Sequence, residues 1–167
     1  ESGATVSVAT STAASDGSAT VSGTTWSYTI TGLVEGANGI TVTATDTAGN
    51  TATASGSITL DTTAPTVSST SPASGAVGVS ASSVITAAFS EAMNSSTITT
   101  STFTVNNGTD NISGAVSYSD TTATFTPSAS LSSYTTYTVT ITTGVTDAAG
   151  NAMAANATWS FTTADTA

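Results

Sequence analysis

Apolar and polar residues alternate with a period of two along most of this chain, and short clusters of Gly, Asn, Asp, Ser and Pro interrupt the alternation. That pattern predicts half-buried β-strands joined by turns. Ala4-Thr5-Val6-Ser7-Val8 reads as a strand, Asp16-Gly17 as a turn and Ala19-Thr20-Val21 as a short strand. Trp26, Tyr28 and Ile30 share one parity, so they are expected on one side of a strand, with Trp26 as the core anchor of this part. Asn38-Gly39 is a tight-turn signal. Ile40, Val42 and Ala44 then alternate inward up to Asp46-Thr47-Ala48-Gly49-Asn50, and a last strand runs from Thr51 to Leu60.

A second set of strands begins at Pro65-Thr66-Val67. Ser71-Pro72-Ala73-Ser74-Gly75 is a turn cluster. Strands are expected at Val84–Phe89 and Phe103–Val105, the latter running into an Asn106-Asn107-Gly108 turn. Residues 116–118 and 122–127 read as a hairpin around Ser119-Asp120. Tyr137–Ile141 is a strong strand, Asp147-Ala148-Ala149-Gly150-Asn151 follows, and Thr158–Thr163 closes the set. Helix signals amount to one turn between Ser95 and Thr102.

Between the two sets lies Asp61-Thr62-Thr63-Ala64-Pro65. Its proline cannot donate to a ladder, and the β-branched threonines before it favour extended backbone, so it reads as a short, stiff connector. The expected organisation is a domain over 1–61, a linker over 62–65, a domain over 66–164 and the start of a further linker at 165–167. An echo supports it. D-T-A-G-N at 46–50 returns as D-A-A-G-N at 147–151, and D-T-T-A at 61–64 returns as D-T-A at 165–167. The chain reads as a window on a tandem array. The start at Glu1, with no Met, predicts a processed or excised piece of something longer.

Composition narrows the function. The 167 residues hold no Lys, Arg, His, Cys or Gln, and ten Asp and Glu give a net charge of −10. The acids therefore have no side-chain cation to pair with and must meet water, backbone N–H groups or metal ions. The charge argues against nucleic acid and anionic lipid as partners. No stretch of about 20 apolar residues is present, so no membrane insertion is expected. Disulfide and thiol chemistry are excluded. Without His, Cys or Lys, a nucleophile–base pair cannot be assembled from Ser, Thr and isolated acids, so no enzyme is expected.

Two resemblances organise these observations. Residues 1–61, with T-W-S-Y-T-I, L-V-E-G-A-N-G-I-T-V-T-A-T-D-T-A-G-N and the exit D-T-T-A-P, resemble the bacterial Ig-like repeats of large secreted adhesins. Residues 65–163, with F-S-E-A-M, T-F-T-P, Y-T-V-T-I-T-T-G-V-T-D-A-A-G-N and W-S-F-T-T, resemble the Ig-like domain named for a bacterial S-layer protein. The resemblance implies an all-β chain of two tandem Ig-like antiparallel β-sandwiches. The first lacks one or two initial strands, either because the chain is cut from a longer one or because a neighbouring subunit donates a strand.

Placing the acids on such a sandwich brings Asp61, Glu91 and Asp147 to one pole of the second domain, with Asn151 beside them. Three carboxylates with no cation would repel, and calcium, which takes six to eight oxygens, would relieve this. Glu1, Asp46 and Asn50 form the equivalent set of the first domain, and Asp165 that of a following one. The competing reading is a plain β-turn, because D-x-x-G-N is also good turn chemistry. Asp16, Glu35, Asp110 and Asp120 are expected to be solvated in turns. Asn94, Asn107, Asn111 and Asn156 each begin an N-x-S/T sequon and are candidate glycosylation sites.

The expected function is a structural module of a bacterial extracellular fibre, as adhesin stalk, S-layer or surface filament. Its partners are neighbouring Ig-like domains or copies of itself end to end, and calcium tightens the joints. The alternative is a surface- or glycan-binding adhesion module, which needs exposed aromatics. Trp26 and Trp159 are both expected in the core, which weakens it.

Overall fold

The computed structural model describes residues 3–12 and 15–165. The chain divides into two compact units, Glu1–Thr62 and Thr63–Ala167, so the division falls inside the connector. Among the described residues both units are built of strands, and the one helical turn is a 3-10 turn at Ser95–Thr97, capped by the Asn94 side chain.

In the first unit, β1 (Thr5–Thr10), β2 (Gly17–Ser18), β5 (Gly36–Thr45) and β6 (Thr51–Leu60) form one antiparallel sheet in the order β2-β1-β5-β6. A separate hairpin is made by β3 (Thr20–Ser22) and β4 (Thr25–Ser27). One face of the large sheet is apolar. Val6 and Val8 of β1 stand opposite Ala44 and Val42 of β5, and these stand opposite Ala52 and Ala54 of β6. Burial on that face falls off across the sheet: Val6 and Val8 are buried, Val42 and Ala44 half-buried, Ala52 and Ala54 exposed.

Two expectations for this unit are corrected. Asn38-Gly39 is not a hairpin turn but the start of β5, paired with Ile58 and Ser57. The reversal lies before it, where Gly36 takes φ +90°. Asn38 is fully buried. Its amide donates to Val34 O at 2.8 Å and Gly36 O at 2.9 Å, and its Oδ1 accepts from Val34 N and Thr12 Oγ1. The side chain thus closes the turn from inside the strand. Nor is Trp26 a core residue: it is 47% exposed. Its strand spans only Thr25–Ser27 and pairs with β3 alone, so the described residues supply no second layer deep enough to enclose the ring.

The second unit is a complete two-layer sandwich. One sheet has the order β11-β12-β9-β7, from Gly114–Ser119, Thr122–Pro127, Ile85–Phe89 and Val67–Ser71. The other has the order β10-β13-β14-β8, from Phe103–Asn106, Thr136–Ile141, Ala157–Thr163 and Ala76–Val79. The β14–β8 pair is parallel. Strict alternation makes the core: in β13, Tyr137, Val139 and Ile141 are buried, and in β14 Trp159, Phe161 and Thr163. Phe103 packs against Phe125 at 5.9 Å and Trp159 at 6.3 Å, while Tyr137 stacks on Phe161 at 5.5 Å. Trp159 is therefore in the core, as its parity predicts. Burial of these large apolar rings is the main force holding the two sheets together.

Candidate metal centre

The three acids that sequence reasoning groups do come together. One carboxylate oxygen from each of Asp61, Glu91 and Asp147 lies within 4.8 Å of the others; Asp147 is buried, and Asp61 and Glu91 are half-buried. Each is placed by local backbone chemistry. Asp61 follows β6 directly. Beside it, Thr62 donates from its N–H and from Oγ1 (2.7 Å) to the Glu35 carboxylate. Glu35, expected to be merely solvated, therefore restrains the connector. A lone acid in a turn gives no sequence signal for a partner 27 residues away.

Glu91 lies just past the end of β9. Ser90 N donates to Thr66 O at 2.8 Å, and Thr66 N returns a bond to Ser90 Oγ at 3.0 Å, which clamps this loop beside the first residues of the second unit. The same loop is latched to the loop of Asp147. Met93 bridges Asp147, Asn94 N donates to Thr146 O at 2.9 Å, and Ala148 N donates to Ala92 O at 3.1 Å.

Asp147 is held by its own turn. Its Oδ1 accepts from Gly150 N at 2.7 Å and Asn151 N at 2.8 Å, and its Oδ2 accepts from Asn151 Nδ2 at 2.8 Å. Gly150, at φ +101°, supplies the left-handed residue that turns the N–H groups inward. Burial by itself would raise the Asp147 pKa. The Asn151 side chain and N–H, with Gly150 and Ala149, outweigh it and hold the carboxyl below its ordinary value.

The spacing suits a hard cation. Oxygens that share an ion at about 2.3–2.6 Å can be at most about 4.6–5.2 Å apart, and the three carboxylates each bring one oxygen to within 4.8 Å of the others. With no Lys, Arg or His in the chain, no side-chain cation competes for the position.

The other predicted positions behave differently. Asp46 repeats the turn: Oδ1 accepts from Ala48 N and Asn50 N, and Oδ2 from Asn50 Nδ2, each at 2.8 Å. Asn50 and Asn151 thus direct their amides at an aspartate, as turn chemistry requires. No second acid stands with Asp46 in a three-acid group among the described residues, and Glu1 lies outside them. Asp165 is exposed beyond the end of β14. The four sequon asparagines all hold turns. Asn94 Oδ1 accepts from Ser96, Asn107 Oδ1 from Thr109 N and Asp110 N, Asn111 Oδ1 from Asn106 Nδ2, and Asn156 Oδ1 from Thr143 N.

Comparison with known proteins gives two family matches, both described as Bacterial Ig-like domain: one model matches residues 61–163 and another residues 1–62. The first begins at Asp61, so the three acids all lie within one matched segment. No curated protein sequence matches the chain. Among solved structures, the N-terminal part of the bacterial S-layer protein SbsC is 25% identical, with a TM-score of 0.48, over 61% of this chain and 24% of that one. The S-layer protein rSbsC(31-844) is 24% identical, with a TM-score of 0.47, over 63% of this chain and 14% of that one. The chain thus spans a quarter or less of the length of these proteins. On the match over residues 61–163, which is more than half its length, the chain belongs to the bacterial Ig-like domain family.

Proposed function

We propose that this chain is a spacer of a bacterial extracellular fibre, adhesin stalk or S-layer, in which calcium held by Asp61, Glu91 and Asp147 fixes the connector residue to the loops of the second domain. The observation that carries the reading is the 4.8 Å grouping of three carboxylates in a chain without a single basic side chain. Two tandem Ig-like domains make a structural module. What calcium adds is neutralisation: at a bound ion the mutual repulsion of the acids becomes attraction to a common centre, and the connector loses freedom. A spacer so held would bend less under load. Calorimetric titration of the metal-free protein with calcium is expected to show one site, lost in Glu91→Gln. Absence of calcium binding at millimolar concentration would refute the metal reading while leaving the spacer role intact.

One observation favours a second reading, adhesion to a glycan or surface: Trp26 is half exposed rather than buried. Glycan capture abolished by Trp26→Ala, with calcium binding unaltered, would select it.

A further inference from the structure

The chain holds two Asn-Gly pairs, Asn38-Gly39 and Asn107-Gly108, and the fold treats them in opposite ways. An asparagine followed by glycine can react with itself. The backbone nitrogen of the glycine attacks the asparagine Cγ, and a glycine has no Cβ to hinder the approach. Asn38 is fully buried in β5, and the carbonyls of Val34 and Gly36 hold its Nδ2. Water cannot reach it, and its amide nitrogen is not free to leave. Asn107 is half-buried at the start of the turn that joins β10 to β11, and Gly108, Thr109 and Asp110 after it are exposed. Among the described residues no hydrogen bond holds Asn107 Nδ2, whereas Asn50 and Asn151 commit theirs to aspartates.

The turn also sets donors where charge would develop. Asn107 Oδ1 accepts from Thr109 N at 3.0 Å and from Asp110 N at 2.8 Å. When Cγ is attacked, this oxygen becomes an oxyanion, and fixed backbone N–H groups at such distances are what stabilise one. The same two bonds keep the side chain folded over the residues that follow it, so part of the orientational cost of ring closure is already met. Gly108 N–H donates to Asn106 Oδ1 at 2.7 Å. That bond lies along the N–H and leaves the face of the nitrogen that makes the attack unoccupied. Gly108 sits at φ +95°, and even a Cβ there would meet nothing within 4 Å, so the surroundings are open to water.

We propose that Asn107 is a self-modifying site, at which the folded turn promotes its own deamidation. Gly108 N gives up its proton to a solvent base and bonds to Asn107 Cγ. The Cγ–Nδ2 bond breaks, and the nitrogen takes up a proton and departs as ammonia, leaving a cyclic imide. Water then adds to one of the two imide carbonyls. Opening on one side restores the ordinary backbone with aspartate at 107. Opening on the other gives isoaspartate, which puts one extra carbon into the backbone of the β10–β11 turn. Either product adds a negative charge to a chain that already carries −10. The aspartate product keeps both N–H partners, now in charge-assisted bonds. Asn107 also begins an N-G-T sequon, so a glycan on Nδ2 and the loss of Nδ2 are exclusive fates. The inference is independent of the calcium site.

The test follows the intact folded chain in neutral buffer at physiological temperature, beside an unstructured synthetic peptide of residues 104–113. Chymotryptic mapping by mass spectrometry reads the exchange of NH2 for OH at each asparagine, and chromatography separates aspartate from isoaspartate. Asn107 is expected to convert about tenfold faster in the folded chain than in the peptide, a modest share of the about 10²–10³ that one oriented donor contributes in a water-excluded site. Asn38 should stay intact in the folded chain and convert once the chain is unfolded in denaturant. Thr109→Pro, which removes one of the two donors, should bring the Asn107 rate down to that of the peptide. Three results overturn the inference: an Asn107 rate in the folded chain no higher than in the peptide, Asn38 keeping pace with Asn107 in the folded chain, or an unchanged rate in Thr109→Pro.

Discussion

Asn151 grips Asp147 twice, donating its backbone N–H to Oδ1 and its side-chain amide to Oδ2, each at 2.8 Å. Asn50 does the same to Asp46, at the same distances. The turn is one device used twice, and only the second copy sits in a cluster of three acids among the described residues. That contrast separates turn chemistry from metal chemistry experimentally.

The turn itself sets an acid limit. For Asp46, the Asn50 side chain first, then the Asn50 N–H and those of Ala48 and Gly49, hold the carboxyl below its ordinary 3.8. A folded pKa below the unfolded one means that ionised Asp46 stabilises the fold fully above the unfolded value. That stability is lost as pH falls through the folded value. Thermal melts in calcium-free buffer should show Tm falling below about pH 4. In Asp46→Asn the first unit should melt lower at pH 7 and show a flatter acid limb. An unchanged limb would show that the turn carries no linked proton.

Calcium should raise the melting temperature through the second domain. At free calcium one hundred times its Kd, the shift expected for a domain of about 100 residues is roughly 10 °C or more. Asp61→Asn and Glu91→Gln should remove that shift. Asp46→Asn should leave it intact. A shift that survives Glu91→Gln places calcium elsewhere.

Asn38 is expected to control the first unit alone. Its replacement by Ala strands Val34 N and the carbonyls of Val34 and Gly36, now bonded to its side chain. Each of these bonds is worth about 0.5–1.5 kcal/mol. Differential scanning calorimetry of Asn38→Ala should show an early transition for residues 1–62, with the second unit unmoved.

Gly114 is a steric contact point. A Cβ there would stand 2.5 Å from the Phe125 ring and 2.7 Å from Thr126 O. Gly114→Ala should destabilise the second unit by about 1–3 kcal/mol, the usual cost of overpacking. Adding Phe125→Leu should recover only part of it, because the backbone carbonyl cannot retreat. Denaturant melts of the two variants measure this.

The strands were legible wherever the alternation was regular, as at 137–141 and 157–163, because a strand buried on one face must alternate. The acid grouping was legible through the fold: once strand order is known, the ends of strands dictate which loops meet. Asn38-Gly39 misled because a turn dipeptide carries no information about long-range bonds, and Asn38 is satisfied by Thr12 and Val34. Trp26 misled because parity says which side a residue faces and nothing about whether another layer is there to meet it.

By itself, then, the sequence determined the all-β class, the connector, the twin D-x-A-G-N turns and the absence of any side-chain cation. These are local or compositional properties, written in period and residue type. Only the tertiary structure decided that Glu35 holds Thr62 and that Asp147 is buried and partly saturated. Only it decided that, among the described residues, β6 ends the first sheet while its counterpart β14 pairs with β8. Those facts depend on which distant segments pack together, and pairing energies between residues tens of positions apart leave no periodic trace in the chain.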